Sequence, residues 1–266
     1  MLIPVELYRL IIIKNFKQFF IYRTNLFNGA VSAFLILAAQ YALWTTLFNT
    51  GNAGDATLQE IMTYFVVNGF MLGVFAISFS SIIGSDIGSG DIAQKFVRPI
   101  PYHMQLLASA HSDALINVVT SRLPVLLIAM VWFGLLAPVS GIAFALFVVT
   151  AALGGVIFAL VDLIISYTAF WLVSGWYLSW FRRALFTLFG GMMLPLWLYP
   201  AWLQTICAFL PFQYAVFQPI AIYLGRVSYD QAAFSLGAQL FWIIALLVIE
   251  RLIWRKVQHK IIVQGG

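Results

Sequence analysis

Charged side chains are missing from long stretches of this chain and crowd into the short segments between them. None falls between Asn25 and Phe48, or between Ile61 and Ile83. Wound as a helix at about 1.5 Å per residue, either run crosses the roughly 30 Å of hydrocarbon in a bilayer. Composition follows the same rule: 63 % of residues are hydrophobic, 9 % are charged, and the mean hydropathy is +0.97. A soluble domain carries about 45–50 % apolar and about 25 % charged residues, so too little polar surface exists here to cover a globule in water. Lipid is the expected solvent. Six spans and their connections largely consume the 266 residues, which leaves no room for a soluble catalytic domain.

The spans are expected over residues 25–48, 61–83, 121–136, 141–165, 184–199 and 232–253. Ahead of them, residues 3–23 place Glu6, Lys14, Lys17 and Gln18 on one helical face, with Ile12, Phe16, Phe19 and Phe20 opposite. Leu7, Arg9 and Leu10 blur the pattern, which suits an interfacial helix lying on the membrane surface. The turn Thr50 to Thr57 follows span one, and a polar, glycine-rich stretch, Gly84 to Pro101, follows span two. Residues 102–118, interrupted by Tyr102, His103, His111 and Asp113, read as a short interfacial helix. The aromatic segment Trp171 to Phe181, before Arg182 and Arg183, fits an interfacial belt. Residues 200–228 are apolar but broken by Pro200, Pro211, Pro219 and Gly225. A straight span would not carry those breakers, so short re-entrant helices are expected there.

With both termini in the cytoplasm, every Lys and Arg except Arg122 and Arg226 falls in an inner segment. The bias is one-sided and sets the orientation. The net charge of +5 is therefore a mark of topology, and nucleic acid is not an expected partner. The single Cys207 excludes an internal disulfide and a thiolate metal cluster. No signal peptide is expected, because the run Ile11 to Ile13 is short and no small-residue cleavage site follows it. Gly84, Gly88 and Gly90 lack the Lys-Ser or Lys-Thr of a phosphate-cradling loop. His103, His111 and His259 form no zinc-binding pair, and G-S-D-I-G has no serine at its centre. The chain by itself is expected to be no enzyme and to hold no metal or cofactor.

The most informative segment is G-D-I-A-Q-K-F-V-R-P-I, Gly90 to Ile100. Asp91 suits the start of a short helix and Pro99 its end. Ile92, Phe96 and Val97, rimmed by Lys95 and Arg98, would form an exposed apolar knob suited to a groove on another protein. An ordinary loop whose hydrophobes rest on lipid headgroups is equally consistent with the chemistry. The longer pattern G-S-G-D-I-A-Q-K-F-V-R-P-I resembles the segment after the second span in permeases of the type-2 ABC exporter family. The stretch G-G-M-M-L-P-L-W-L-Y-P-A-W-L, Gly190 to Leu203, is similar to that family's fifth helix and its outer boundary. Leu210 to Tyr214, then Pro219 and the Leu224-Gly225 pair, follow at similar spacing, and the closing V-Q-G-G resembles a subgroup. The likeness lies in the order of these motifs and covers nearly the whole chain.

That resemblance implies an all-α integral membrane protein: six transmembrane helices, an N-terminal connecting helix, a cytoplasmic coupling helix and outer re-entrant helices between spans five and six. It implies the small, half-size permease of a pump in a bacterial-type plasma (inner) membrane, multi-pass, with both termini cytoplasmic. Two ATP-binding subunits would hold ATP and Mg, and a second permease, in some pumps a non-identical one, would complete the complex. Gly90, Asp91, Ile92, Lys95, Phe96, Val97, Arg98 and Pro99 would then form the ATPase-coupling helix. Pro200, Trp202, Pro211, Phe212, Tyr214, Pro219 and Gly225 would belong to the helices that close the exit. The cargo would be lipophilic or amphipathic, of drug, peptide, lipid or glycan class. An ion-driven secondary transporter would instead call for internal repeats and buried carboxylates, and a scaffold subunit is a third reading.

Within the spans, Asn25, Asn28, Gln40 and Asn68 could line a pathway or bond neighbouring helices. Asp162 is the one carboxylate well inside an apolar run, suited to a proton relay or to pairing with Arg122, Arg182 or Arg183. Counted from the turn near Pro138, Arg122 and Asp162 differ in depth by about 12 Å, which favours the 182–183 pair. Met192, Met193 and the scattered phenylalanines fit packing against lipid better than a substrate box.

Overall fold

The computed structural model describes residues 23–50, 55–75, 78–98, 102–172 and 176–264, and all regular structure among them is helical. The surface helix expected over 3–23 lies outside those residues except for Arg23, which opens α1 (Arg23–Asn49). α2 (Leu58–Val74) starts behind Thr57, whose hydroxyl accepts the Glu60 N–H at 3.1 Å, the forward half of a capping box. Span two does not run straight to Ile83. α2 stops at Val74, and a second helix, α3 (Phe79–Ser89), takes over. Residues Gly84 to Ser89, expected as loop, are thus helical. The reason is packing: Phe79, Ser80, Ile83 and Asp86 form one buried helical stripe, and that burial outweighs the poor helix propensity of Gly and Ser. At Gly90, with φ +75°, the chain turns into α4 (Asp91–Val97).

α5 (Tyr102–Asn117) runs without a break through a π turn, Val118–Arg122, into α6 (Leu123–Phe133). The Leu123 N–H reaches back five residues to the Val118 carbonyl just ahead of Pro124, a wider turn of the kind that appears as a bulge inside helices. Residues 102–118 are therefore no separate interfacial helix. Tyr102, Leu106 and Ala110 repeat every fourth residue and are buried against the body, which ties this polar-looking segment to the protein. The apolar run begins at Ala114, ahead of the expected Ser121, and the helix ends at Phe133.

α7 (Gly141–Tyr167) starts behind Ser140, whose hydroxyl accepts the Ala143 N–H at 3.0 Å. The one-turn α8 (Ala169–Leu172) follows, then α9 (Trp176–Phe189). α9 departs most from expectation, which put a span over 184–199. It starts earlier because Arg182 does not mark a boundary; it is drawn inward by Asp162. It stops at Gly190 and Gly191, and only a short 3-10 turn, Leu196–Leu198, comes before Pro200. Its 14 residues cover about 21 Å. Five other helical runs are long and apolar enough to cross a bilayer: Val31–Asn49, Leu58–Ser89, Ala114–Phe133, Gly141–Trp171 and Tyr229–Gln258. Three short helices, α10 (Ala201–Ala208), α11 (Phe212–Ala215) and α12 (Phe217–Tyr223), lead to α13 (Tyr229–Gln264), which outruns the expected 232–253.

α7 is the central post, packed by α13, α12, α11 and α3. Gly154 permits the closest approach: a Cβ there would stand 2.4 Å from the Ala215 carbonyl oxygen. Gly154 lies about 20 Å along α7 from Gly141. Tyr223, by contrast, is back beside the start of that helix. Its carbonyl accepts the Val139 N–H at 3.4 Å and its hydroxyl donates to the Leu136 carbonyl at 3.0 Å. Between Ala201 and Tyr223 the chain therefore dips along α7 and returns. Two apolar clusters result, one around Tyr64, Ile157, Phe186, Val216 and Ile220, the other around Phe79, Ile83, Tyr102, Tyr167 and Val257. Replacing Gly154 by Val forces a side chain into the Ala215 backbone. It is expected to destabilise by about 1–3 kcal/mol, read as a lower melting temperature of the detergent-solubilised protein; an unchanged melt would mean that α11 does not sit at this depth.

Candidate functional site

Asp162 is fully buried in α7. One carboxylate oxygen is 2.6 Å from Arg182 Nη1 of α9, and the other accepts the Phe79 N–H at 2.7 Å. Phe79 opens α3, so the carboxylate caps that helix at the end where backbone N–H groups are otherwise unpaired. The Arg182 guanidinium also lies 5.2 Å over the Phe158 ring. Of the partners open to Asp162 from sequence, the 182–183 pair supplies the one it takes. Three segments, α3, α7 and α9, meet on one carboxylate.

At the far end of α3, Asp86 accepts from Lys95 Nζ at 2.6 Å and from the Tyr102 hydroxyl at 2.8 Å. Gln105 Nε2 donates to the Lys95 carbonyl at 2.9 Å. The Phe96 ring stacks on Tyr102 at 4.9 Å and faces Trp254 at 6.5 Å. Burial first, then the charge and hydrogen bond of Asp86, push the Tyr102 phenol well above its ordinary range, so it stays a donor. These contacts correct the expected knob. Ile92 and Phe96 are half-buried against the body, and Lys95 is committed to Asp86. What faces out is Asp91, Gln94, Val97 and Arg98, with Val97 86 % exposed. Gly90 is the hinge before them, and Pro99 lies outside the described residues.

A cleft of about 810 Å³ opens between α1, α2, α6 and α9. Two residues singled out from sequence, Gln40 and Asn68, line it together with Arg122, Arg182 and Arg183. Asn68 Nδ2 donates to the Met192 carbonyl at 2.9 Å. Asn25 and Asn28 lie on the α1 backbone, but their side chains are outside the description. Met192 and Met193 also line the cleft.

At the opposite end from α4, Arg226 grips Glu60 with two N–H groups, Nε and Nη2, the latter 2.7 Å from Oε2. It also lies 5.1 Å over the Trp197 ring. The placement begins in the local backbone. Gly225, with φ +72°, lets the Gly225 and Arg226 N–H groups turn back to the Ile222 and Ala221 carbonyls, a Schellman ending that needs a left-handed residue. The hydrogen bond to Glu60, the largest influence, raises the Arg226 pKa further. In the short helices that precede Arg226, Pro211 and Pro219 are buried, and Phe212 packs on Phe186 at 5.1 Å and Phe189 at 5.9 Å. Tyr214 donates to the Ala208 carbonyl at 2.9 Å. Pro200 and Trp202 are exposed.

Sequence reasoning did not find Glu60, Asp86 or Gln239. Gln239 is fully buried and its Nε2 donates to the Thr150 and Tyr214 carbonyls at 2.8 and 2.7 Å, joining α13, α7 and α11. A lone amide inside the last apolar run was a readable signal. The Glu60–Arg226 pairing was not, since it needs the fold.

Five helical runs long and apolar enough to cross a bilayer, packed around a buried ion pair, mark a multi-pass helical membrane protein. A family model described as ABC-2 family transporter protein matches residues 34–265, and the chain belongs to that family. It is thus the permease component of an ABC transporter, a membrane transport subunit of a kind that generally works with an ATP-binding subunit. No curated protein matches the sequence.

Removing one partner of a buried ion pair leaves the other charge unpaired, at about 3–5 kcal/mol. Arg182→Gln alone is expected to lower the melting temperature sharply. Adding Asp162→Asn to it should recover most of the loss. Equal and additive losses would mean that the two side chains do not form a pair.

Proposed function

We propose that this chain is the membrane-spanning permease subunit of an ATP-driven ABC exporter that moves a lipophilic or amphipathic substrate out of the cytoplasm or inner leaflet. ATP and Mg are held, and ATP is hydrolysed, by separate subunits. Two of these and a second permease, identical or not, complete the complex in a bacterial-type plasma (inner) membrane. The observation that carries the reading is α4: a helix clamped to the body on one face by Asp86–Lys95 and Phe96, and free on the other at Asp91, Gln94, Val97 and Arg98. A clamped helix transmits a push, whereas a loop would absorb it. In this reading the docking contact is made by the Val97 face, while Ile92, Lys95 and Phe96 hold the helix in place.

Six crossings follow as α1, α2 with α3, α5 with α6, α7, α9 and α13, with both termini and α4 in the cytoplasm. α9 is completed toward the outside by residues 190–199. α10 to α12 are the re-entrant segment, supported by the dip to Gly154 and the return at Tyr223, and the Glu60–Arg226 pair is the latch that holds it shut. Closure of the ATPases would push α4, swing α3 about the break near Phe75 and reach α7 and α9 through Asp162 and Arg182. The outer latch would then release, in a two-state switch biased by nucleotide.

An ion-gradient-driven carrier would need a carboxylate available to the coupling ion. Asp162 is committed to Arg182 and to the Phe79 N–H, which counts against it. The test is co-purification with an ATP-binding subunit encoded alongside. Val97→Asp is expected to lose the partner by about tenfold or more, since it drives a charge into the centre of a docking contact, with an unchanged melting temperature. Phe96→Ala should lower the melting temperature first. If wild type brings no ATPase, the carrier reading takes the lead.

A further inference from the structure

The cleft is lopsided in charge. Arg122, Arg182 and Arg183 line it and, among the described residues, no Asp or Glu does. Asp162 balances Arg182 from behind. Among the described residues, Arg122 and Arg183 have no ion-pair partner. Arg122 Nε donates to Asn117 Oδ1 at 3.2 Å. Its stem lies across Gly73, where a Cβ would stand 2.1 Å from Arg122 Cγ, so the backbone of α2 is shaped to let this arginine reach the cleft. Farther along α2, about 8 Å from Gly73 at the helical rise, sits Asn68. It is 4 % exposed, and with Nδ2 bonded to Met192, its Oδ1 has no donor. An amide oxygen held dry and unpaired is unfavourable unless something supplies a hydrogen. The remaining walls are hydrocarbon and aromatic, among them Ile36, Phe65, Val125 and Phe186.

We infer that this cleft binds a single-chain anionic amphiphile, with its phosphate or carboxylate on Arg122 and Arg183, a hydroxyl in its linker donating to Asn68 Oδ1, and its chain along the apolar walls. The inference rests on the cleft being the transport pathway and narrows the cargo to anions. Each part of the ligand answers a part of the site. Two arginines suit an oxyanion through charge-assisted hydrogen bonds. Asn68 lies between those arginines and the middle of the apolar run, where a head-to-chain linker would fall. A cationic amphiphile would meet two unbalanced positive charges, and a purely apolar one would leave them dehydrated and unpaired.

The probe is 1-dodecanoyl glycerol 3-phosphate, titrated onto the purified full chain in a nonionic detergent and followed by native mass spectrometry. Dodecyl phosphate lacks the hydroxyl, glycerol 3-phosphate lacks the chain, and dodecyltrimethylammonium reverses the charge. One saturable site is expected, with the cationic probe weaker by about tenfold or more and dodecyl phosphate intermediate. The Arg122→Gln, Arg183→Gln double variant should lose about tenfold or more, while the corresponding Lys variants keep most of the affinity. Arg251→Gln, on α13 away from the cleft, should bind as wild type. Equal binding of cation and anion, wild-type affinity in the double Gln variant, loss in Arg251→Gln, or unsaturable uptake by the surface would each overturn the inference. Because the ATPase partner is scored separately by co-purification, failure here is distinguishable from failure of the exporter reading.

Discussion

A carboxylate cannot stay ionised inside a bundle of apolar helices unless its charge and lone pairs are answered, and Asp162 sets that condition for much of this protein. Arg182 answers the charge, and the first N–H of α3 answers the second oxygen. The consequence is structural as much as energetic. A span that would otherwise run from Leu58 to Ser89 can break near Phe75, because the restarted helix finds its cap on a neighbouring helix. α9 can carry an arginine in its first turns without placing it in water. Well-packed hydrophobic residues often replace a buried ion pair without loss of stability, but they would no longer join these three segments at one point.

That junction also connects the two places where chemistry is exposed. Arg182 lines the cleft on one side and holds Asp162 on the other. From Asp162 the path runs down α3 to Asp86, where Lys95 and Tyr102 fix α4. Each link is a charged or helix-capping contact between discrete elements, the kind of network that has distinct arrangements rather than graded ones. The pair at the opposite end from α4, Glu60 and Arg226, is set up independently by the Schellman ending of α12. Cleft and α4 therefore share a mechanical frame in α2, α3 and α7.

Much of this was legible in the amino-acid order. The long apolar runs fell on α1, α7 and α13, because helix length in lipid largely determines them, although α13 continues past its run to Gln264. The prolines and Gly225 foretold the short helices after Pro200, since breakers act locally. The arithmetic of depth along a helix chose the right arginine pair for Asp162. Where reading failed, a tertiary contact had overruled a local signal. Gly84 to Ser89 looked like loop because its burial against Tyr102 and Tyr167 cannot be seen in sequence. Residues 102–118 looked interfacial because polar side chains were counted and the buried stripe of Tyr102, Leu106 and Ala110 was not. Arg182 looked like a membrane boundary because its partner is far away in the chain. Phe96 looked like a docking knob because its two aromatic neighbours, Tyr102 and Trp254, come from different helices.

The central claim is that α4 is a rigid contact surface presented by its Val97 face to an ATP-binding partner. A photo-crosslinking residue introduced singly at positions 92, 94 and 97 in cells expressing the neighbouring ATPase tests it most directly. Adducts of permease plus ATPase size are expected from 94 and 97, altered in yield by nucleotide, and none from 92, which faces the protein's own body. Adducts from 92 equal to those from 97, or no ATPase adduct from any of the three, would contradict it.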